Sequence, residues 1–497
     1  MTTQSTRPRW VTELIVIVAL AALCVLVRLP FWFPSVIDWD ESTFIVMGQE
    51  ILDGRLPYVE LFDNKPPLVF AVFALFLAVH SSIMAVRIGG AVCVLIVAYL
   101  SYRIGAGLHT RKTGVIAGLL SVVFVSGVTT SGQATMSETV ALVPLLGATA
   151  LLLSPRSKAT NFLLGCLLAM AVLIRTNLAY VALAVTALVV YRLYRERSGS
   201  TLGEALTFGL GALVPPGIVA ALYAAQGQLD TLFSATVTAS LSYSGQQGPL
   251  ATSVSLVVNN PLIVIIVLVG IAPLYRGWRG VAAAKRRQIG CFLLVAIATG
   301  FSIVMSGVAR RHYLIQLIPF LTIPLAVSLS VGLSARHRML TTLVVLLGLV
   351  VPARVIGREY GKVIARAWHG KSLFEDRGYR IARYLREANP NREPVYLMTD
   401  HIAYWLTGTR APTKIVTHPS NVGRRYLIEA VVGPLATPSS EMKKVLAARP
   451  RYIVTRQNLW YMKDAPQAAA VLEDCLAAAY RLTEVISRSR IYALREE

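Results

Sequence analysis

The sequence predicts a polytopic α-helical membrane protein of about eleven spans, with juxtamembrane helices on its outer side and a small α/β domain at its C-terminus. Composition is the first reason: 55% of the residues are hydrophobic, only 15% are charged, and the mean hydropathy is +0.59. The second is that apolar runs of roughly 20 residues, enough to cross a bilayer core of ~30 Å, recur throughout the first 356 positions. The third is an abrupt change after residue 356 to a charged, mixed sequence the length of one soluble domain.

In chain order, the spanning runs are 11–29, 83–102, 113–130, 135–153, 159–175, 177–194, 203–224, 254–274, 288–306, 312–331 and 338–356. The first enters polar sequence with no small-residue cleavage site, so it is expected to stay as a signal anchor. The run 67–79 would reach only about 20 Å at the ~1.5 Å rise of a helix. It is expected to lie in the outer interface or re-enter it.

Basic residues near span ends set the orientation. With the N-terminus cytoplasmic, the inner loops hold Arg7 and Arg9; Arg103, Arg111 and Lys112; Arg156 and Lys158; Arg192, Arg195 and Arg197; Arg276, Arg279, Lys285, Arg286 and Arg287; and Arg336 with Arg338. Glu196 is the one acid among them. Much of the net charge of +22 therefore reflects topology and contact with anionic lipids. Basic patches interleaved with stacking aromatics are missing, so the composition excludes a nucleic-acid partner. The expectation is a multi-pass cell-membrane protein (inner or plasma membrane) whose C-terminal domain is extracytoplasmic.

Residues 1–356 are expected to form the transmembrane domain, with an outer loop over 30–82, and 357–497 the soluble one. In the latter, helical patterns at 377–387, 402–406, 441–448 and 465–479 alternate with strand patterns at 395–399 and 451–454. His369, His401 and His418 stand alone and are read as surface or packing residues. Cys24, Cys93, Cys166 and Cys291 lie in spans and Cys475 in the tail, so the outer domain has no disulfide partner of its own. There is no long internal repeat and no low-complexity tract.

The chemistry concentrates in the outer loop. Asp38-x-x-Glu41 has the spacing of a capping box before a short helix that ends at Asp53-Gly54. Asp38 and Glu41 fit capping and catalysis equally. Asp40 favours function, because three acids in four residues repel one another unless a cation, ligand or proton uses them. Lys65 precedes Pro66-Pro67, which fix an extended lead-in and suit the first turn of the apolar helix that follows. A lysine held there can grip a lipid phosphate or simply snorkel to the interface. Arg310-Arg311-His312-Tyr313 breaks the positive-inside pattern at the start of a span, which anion binding would explain. Glu138 opens a span on the same side and suits a helix start or a binding role. Arg175 sits in a break between two helices, where an acid or phosphate is expected beside it. The almost uncharged loop 225–253 is read as either a lid or an ordinary connection.

The order Asp40-Glu41, a short helix, Gly54-Arg55-Leu56-Pro57-Tyr58, then Asp63-Asn64-Lys65-Pro66-Pro67-Leu68 resembles the GT-C membrane glycosyltransferases. It is most similar to the branch containing protein O-mannosyltransferases and the lipid A aminoarabinose transferase (family 39-like). Arg311-His312-Tyr313-Leu314 with Gln316 and Pro319 resembles that group's later signature. The resemblance implies a polyprenyl-phosphate sugar as donor and an extracytoplasmic glycan, lipid or protein hydroxyl or amine as acceptor. It implies a base at Asp40 with Glu41 beside it, and Lys65 on the carrier phosphate. Arg310 or Arg311 would assist, and Tyr58, Glu138, Arg175, His312 and Tyr313 join as substrate-binding candidates. Asn64 stands where some relatives carry an acid that helps bind a metal, which leaves a divalent metal an open question. Two rivals share the layout: a polyprenyl-lipid flippase or transporter, and an oligosaccharide ligase or polymerase using a diphosphate carrier.

Overall fold

The computed structural model describes residues 8–196, 199–244, 248–260, 265, 283–331, 334–416 and 420–496. Most of the expected span 254–274 falls outside them, as do His418, Arg276, Arg279 and part of the 225–253 loop. The described chain is mainly helical and divides into two compact units. One comprises Met1–Trp32, Arg87–Ile218 and Ser244–Ile364; the other comprises Phe33–Val86, Val219–Tyr243 and Ala365–Glu497.

In the first unit the helices follow the hydropathy pattern. Seven helices among the described residues are long and apolar enough to cross a membrane: Arg9–Phe31, Ile83–Leu108, Thr176–Arg195, Thr201–Ala224, Lys285–Met305, Arg311–Ser330 and Ala335–Trp368. The expected runs at 113–130, 135–153 and 159–175 are helical over Arg111–Val125, Ser137–Leu153 and Lys158–Ile174. At 15, 17 and 17 residues these sit at or below the short end of the spanning range. Glycines let some backbones touch. A Cβ at Gly165 would overlap the Phe208 carbonyl, and one at Gly211 the Phe162 carbonyl. Small residues of this kind draw apolar helices together where burial alone cannot. Arg28 is fully buried at the end of the first helix, α1 (Arg9–Arg28), and donates to the carbonyls of Gly132 (2.6 Å) and Gln133 (3.0 Å). The last long helix runs through Pro352 and past residue 356, so the compositional change falls inside one continuous helix of 34 residues.

The second unit joins the loop after α1 to the C-terminal domain. Helix α2 (Trp39–Leu52) starts at Asp38, whose side chain accepts from the Asp40 amide at 3.0 Å, and it stops before Gly54, whose φ of 81° suits glycine. Helix α3 (Pro67–Val79) begins with proline at its first position, where no amide donor is needed. The two helices pack closely at Gly48, whose missing side chain leaves α2 against the backbone of Phe73 and Ala74. The next helix, α4 (Ile83–Leu108), begins three residues after α3 ends.

The tail carries a four-stranded sheet of order β1-β2-β4-β3, made of β1 (Val395–Leu397), β2 (Tyr452–Arg456), β3 (Tyr480–Ile486) and β4 (Ser489–Leu494). β1 runs parallel to β2, and β4 antiparallel to both β2 and β3. The expected tail helices are present as Arg377–Ala388, Ile402–Thr407, Pro438–Ala447 and Pro466–Ala479. The loop is stitched to this domain. Phe62 bridges Ile415, the Ser35 amide donates to Asp376 at 2.7 Å, and the Trp405 indole donates to Gln49 at 3.2 Å. Val46 of α2 belongs to the same apolar core as Leu385, Leu397 and Ile491.

Candidate functional site

The site in the second unit forms around Lys65. Its ammonium lies 4.0 Å from Asp40 Oδ2 and 3.9 Å from Asp63 Oδ1, and it donates to Asn64 Oδ1 at 3.1 Å. Both carboxylate distances exceed that of a direct hydrogen bond, so one cation is shared by two acids in a loose triad. The phenylalanine ring of Phe44, on the α2 turn above Asp40, lies 6.0 Å from the ammonium. Asp63 is buried, and burial pushes its carboxyl above the usual range; Lys65 opposes that shift and Asp40 reinforces it. The Lys65 amide also donates to Asp63 at 2.9 Å, which fixes the turn that presents the lysine.

Tyr58 supports this turn from beneath. It is 3% exposed, has a φ of 73°, and its hydroxyl donates to the Lys65 carbonyl at 2.5 Å. A bulky residue in the left-handed region persists only where its surroundings hold it. Here the rings of Phe62, Phe70 and Tyr223 pack on it at about 6 Å between centroids. Glu41 is 1% exposed, next to the half-buried Asp40.

The tail grips the same turn of α2. His401 is 1% exposed, and its Nε2 lies 3.0 Å from the Trp39 carbonyl and 3.1 Å from Thr43 Oγ1. A carbonyl partner requires the proton on Nε2. Burial holds the imidazole neutral by pushing its pKa down to about 4. Beside it the indoles of Trp39 and Trp460 stack at 6.2 Å with 16° between planes. Neither His401 nor Asp63 stands out in the sequence as a site residue. His401 belongs to no motif, and Asp63 is marked only by its place in Asp63-Asn64-Lys65.

The first unit gathers a separate polar cluster. Glu138, fully buried, accepts from Arg175, whose guanidinium also donates to Ser137 Oγ (2.9 Å) and Asn177 Oδ1 (3.2 Å). Arg175 lies 4.5 Å from the ring of Tyr313, His312 Nε2 is 3.9 Å from Glu138, and Asn177 donates to Gln316 at 3.1 Å. Arg175 thus meets the acid its position called for. Arg310 and Arg311 are exposed and make no ion pair with other described residues. No three His, Cys, Asp or Glu side chains form a metal-binding group among the described residues.

The membrane-length helices and the small C-terminal sheet domain give this chain a fold like that of the GT-C membrane proteins. Residues 64–224 match the family model described as dolichyl-phosphate-mannose-protein mannosyltransferase. The chain is similar to ArnT from Cupriavidus metallidurans, crystallised with undecaprenyl phosphate. The TM-score is 0.62 at 14% identity, and the match covers 97% of each chain. It is also similar to the Archaeoglobus fulgidus oligosaccharyltransferase in its apo form, with a TM-score of 0.50 at 14% identity, over 97% of this chain and 74% of that one. No curated protein matches the sequence.

Proposed function

We propose that this protein is an inverting glycosyltransferase that moves a sugar from a polyprenyl-phosphate carrier to an extracytoplasmic hydroxyl or amine. In this reading the N-terminus is cytoplasmic, and the loop and tail lie outside the cell membrane. The observation that carries the proposal is the Asp40–Lys65–Asp63 triad, a base and a cation held side by side on a GT-C scaffold. Asp40 takes the proton from the acceptor O–H or N–H as that atom bonds to the anomeric carbon. The anomeric C–O bond breaks with its electron pair passing to the phosphate, and Lys65 stabilises the developing charge. Asp63, whose carboxyl is pushed above the usual range by burial, is the second acid beside Lys65 and leaves the role of base to Asp40. Polyprenyl phosphate departs, and Asp40 loses its proton to water.

The test supplies polyprenyl-phosphate sugars to purified protein in detergent, where no second compartment exists. Asp40→Asn is expected to abolish transfer, and Lys65→Ala to lower it by about two orders of magnitude, the loss typical of removing one charge-stabilising group. Transfer retained by Asp40→Asn removes that residue as the base. Transfer from a diphosphate carrier alone moves the protein to the ligase class, and no transfer by the wild type from any donor favours transport.

A further inference from the structure

The second unit holds a cleft of about 1290 Å³ at the opposite end of α2 from the Lys65 triad. Gln49 in the cleft wall is nine positions after Asp40, or about 14 Å along the helix axis. The floor is the α3–α4 corner, His80, Ser81 and Ser82, continued by Ile83 and Met84, the first residues of a membrane-length helix. Val79 and Leu75 beside this corner are 79% and 62% exposed, as a lipid-facing surface would be. The floor therefore lies at the depth where a span meets the headgroup layer.

The cleft carries both signs of charge. Glu50 and Asp53 of the α2 end are both bound by Arg55, at 2.5–2.7 Å. Arg392, Arg410 and Lys414 line the cleft from the tail; all three are exposed, and none makes an ion pair with another described residue. The Arg392 guanidinium lies across Gly408, so close that a Cβ there would come within 3.3 Å of it; φ at Gly408 is 71°. Glu60 is the remaining acid in the lining. Three cations in a cleft that also reaches this polar, membrane-level corner, with the exposed Val79 and Leu75 beside it, suit an amphiphile whose phosphate sits in the cleft and whose acyl chains lie in the bilayer.

We propose that this cleft binds the phosphate of an anionic phospholipid headgroup, at a site separate from the Lys65 triad and independent of the reaction proposed for it. Arg392, Arg410 and Lys414 hold the phosphate while the α3–α4 corner receives the glycerol. The experiment is native mass spectrometry of the full-length protein in detergent, titrated with dioleoylphosphatidylglycerol or, as the phosphate-free control, dioleoylglycerol. The Arg392→Gln/Arg410→Gln/Lys414→Gln variant is expected to bind phosphatidylglycerol at least about tenfold more weakly, a loss the size of one charge-assisted contact. Dioleoylglycerol is expected to bind wild type and variant alike, and the thermal midpoint to stay put, since all three side chains are exposed. Equal phosphatidylglycerol binding by wild type and variant overturns the proposal. So does competition by inorganic phosphate at equimolar lipid, which would mean a site for free phosphate.

Discussion

Substituting Gly48 by alanine tests whether the α2–α3 contact sets the spacing of the triad. A Cβ at this position would lie 2.9 Å from the Ala74 amide nitrogen and 3.1 Å from the Phe73 carbonyl carbon. Ordinary contact begins at 3.4 Å, and backbone atoms cannot swing aside, so the helices must part by at least 3.4 − 2.9 = 0.5 Å. Overpacking of this kind costs about 1–3 kcal/mol, while alanine's better helix propensity returns up to about 1 kcal/mol. With the full propensity gain, the net loss is about 0–2 kcal/mol. Because α2 carries Asp40 and Lys65 leads into α3, the same shift stretches a pair already 4.0 Å apart. A misplacement of 1 Å at reacting groups can cost about a hundredfold in rate, so half of that predicts a loss of about tenfold. Thermal unfolding in detergent and transfer from a polyprenyl-phosphate sugar measure the two effects, and Gly48→Val should enlarge both. Wild-type stability together with wild-type transfer in Gly48→Ala would show that the close approach has no bearing on the site.

Two further predictions concern buried ionisable groups. His401 is held neutral, its folded-state pKa about 4 lying below the unfolded 6.5, so the unfolded chain takes up the proton first. Its contribution is complete above pH 6.5 and is lost as pH falls toward 4, by up to about 3 kcal/mol. His401→Gln should flatten the pH dependence of the unfolding midpoint over that window; an unchanged profile would mean that another group carries it. In the first unit, Glu138→Leu or Arg175→Met alone strands a buried charge and should cost about 3–5 kcal/mol. The double variant should recover most of that loss, and additive losses in thermal unfolding would show that the pair is not coupled.

Hydropathy and capping chemistry made much of the fold readable. The helix Pro67–Val79 follows from its prolines and its apolar run, and α2 from an acidic start and Asp53-Gly54. The two C-terminal strands were less visible because the exposed face of Tyr480–Ile486 mixes Leu482 and Val485 with charged residues and blurs the alternation. Within the site, Asp40 and Lys65 are close enough in sequence for their motif to pair them. His401 is 362 positions from Trp39. A lone histidine carries no pattern that names a partner so distant, and the burial that neutralises it exists only once the tail has packed. Glu138, Arg175 and His312 likewise come from separate parts of the chain, and only Arg175, charged and caught between two helices, announced its need for a partner.

The bridge between Phe62 and Ile415, with the Ser35–Asp376 and Trp39–His401 bonds, has a consequence for biosynthesis. The polar loop leaves the ribosome among the first hundred residues, yet the contacts that order it come from the last hundred and thirty or so. Until those are made, Asp40 and Lys65 sit on a surface that still lacks its tail contacts. A chain cut short before the tail would carry this loop without the partners that brace it: Ile415 for Phe62, Asp376 for Ser35 and His401 for Trp39.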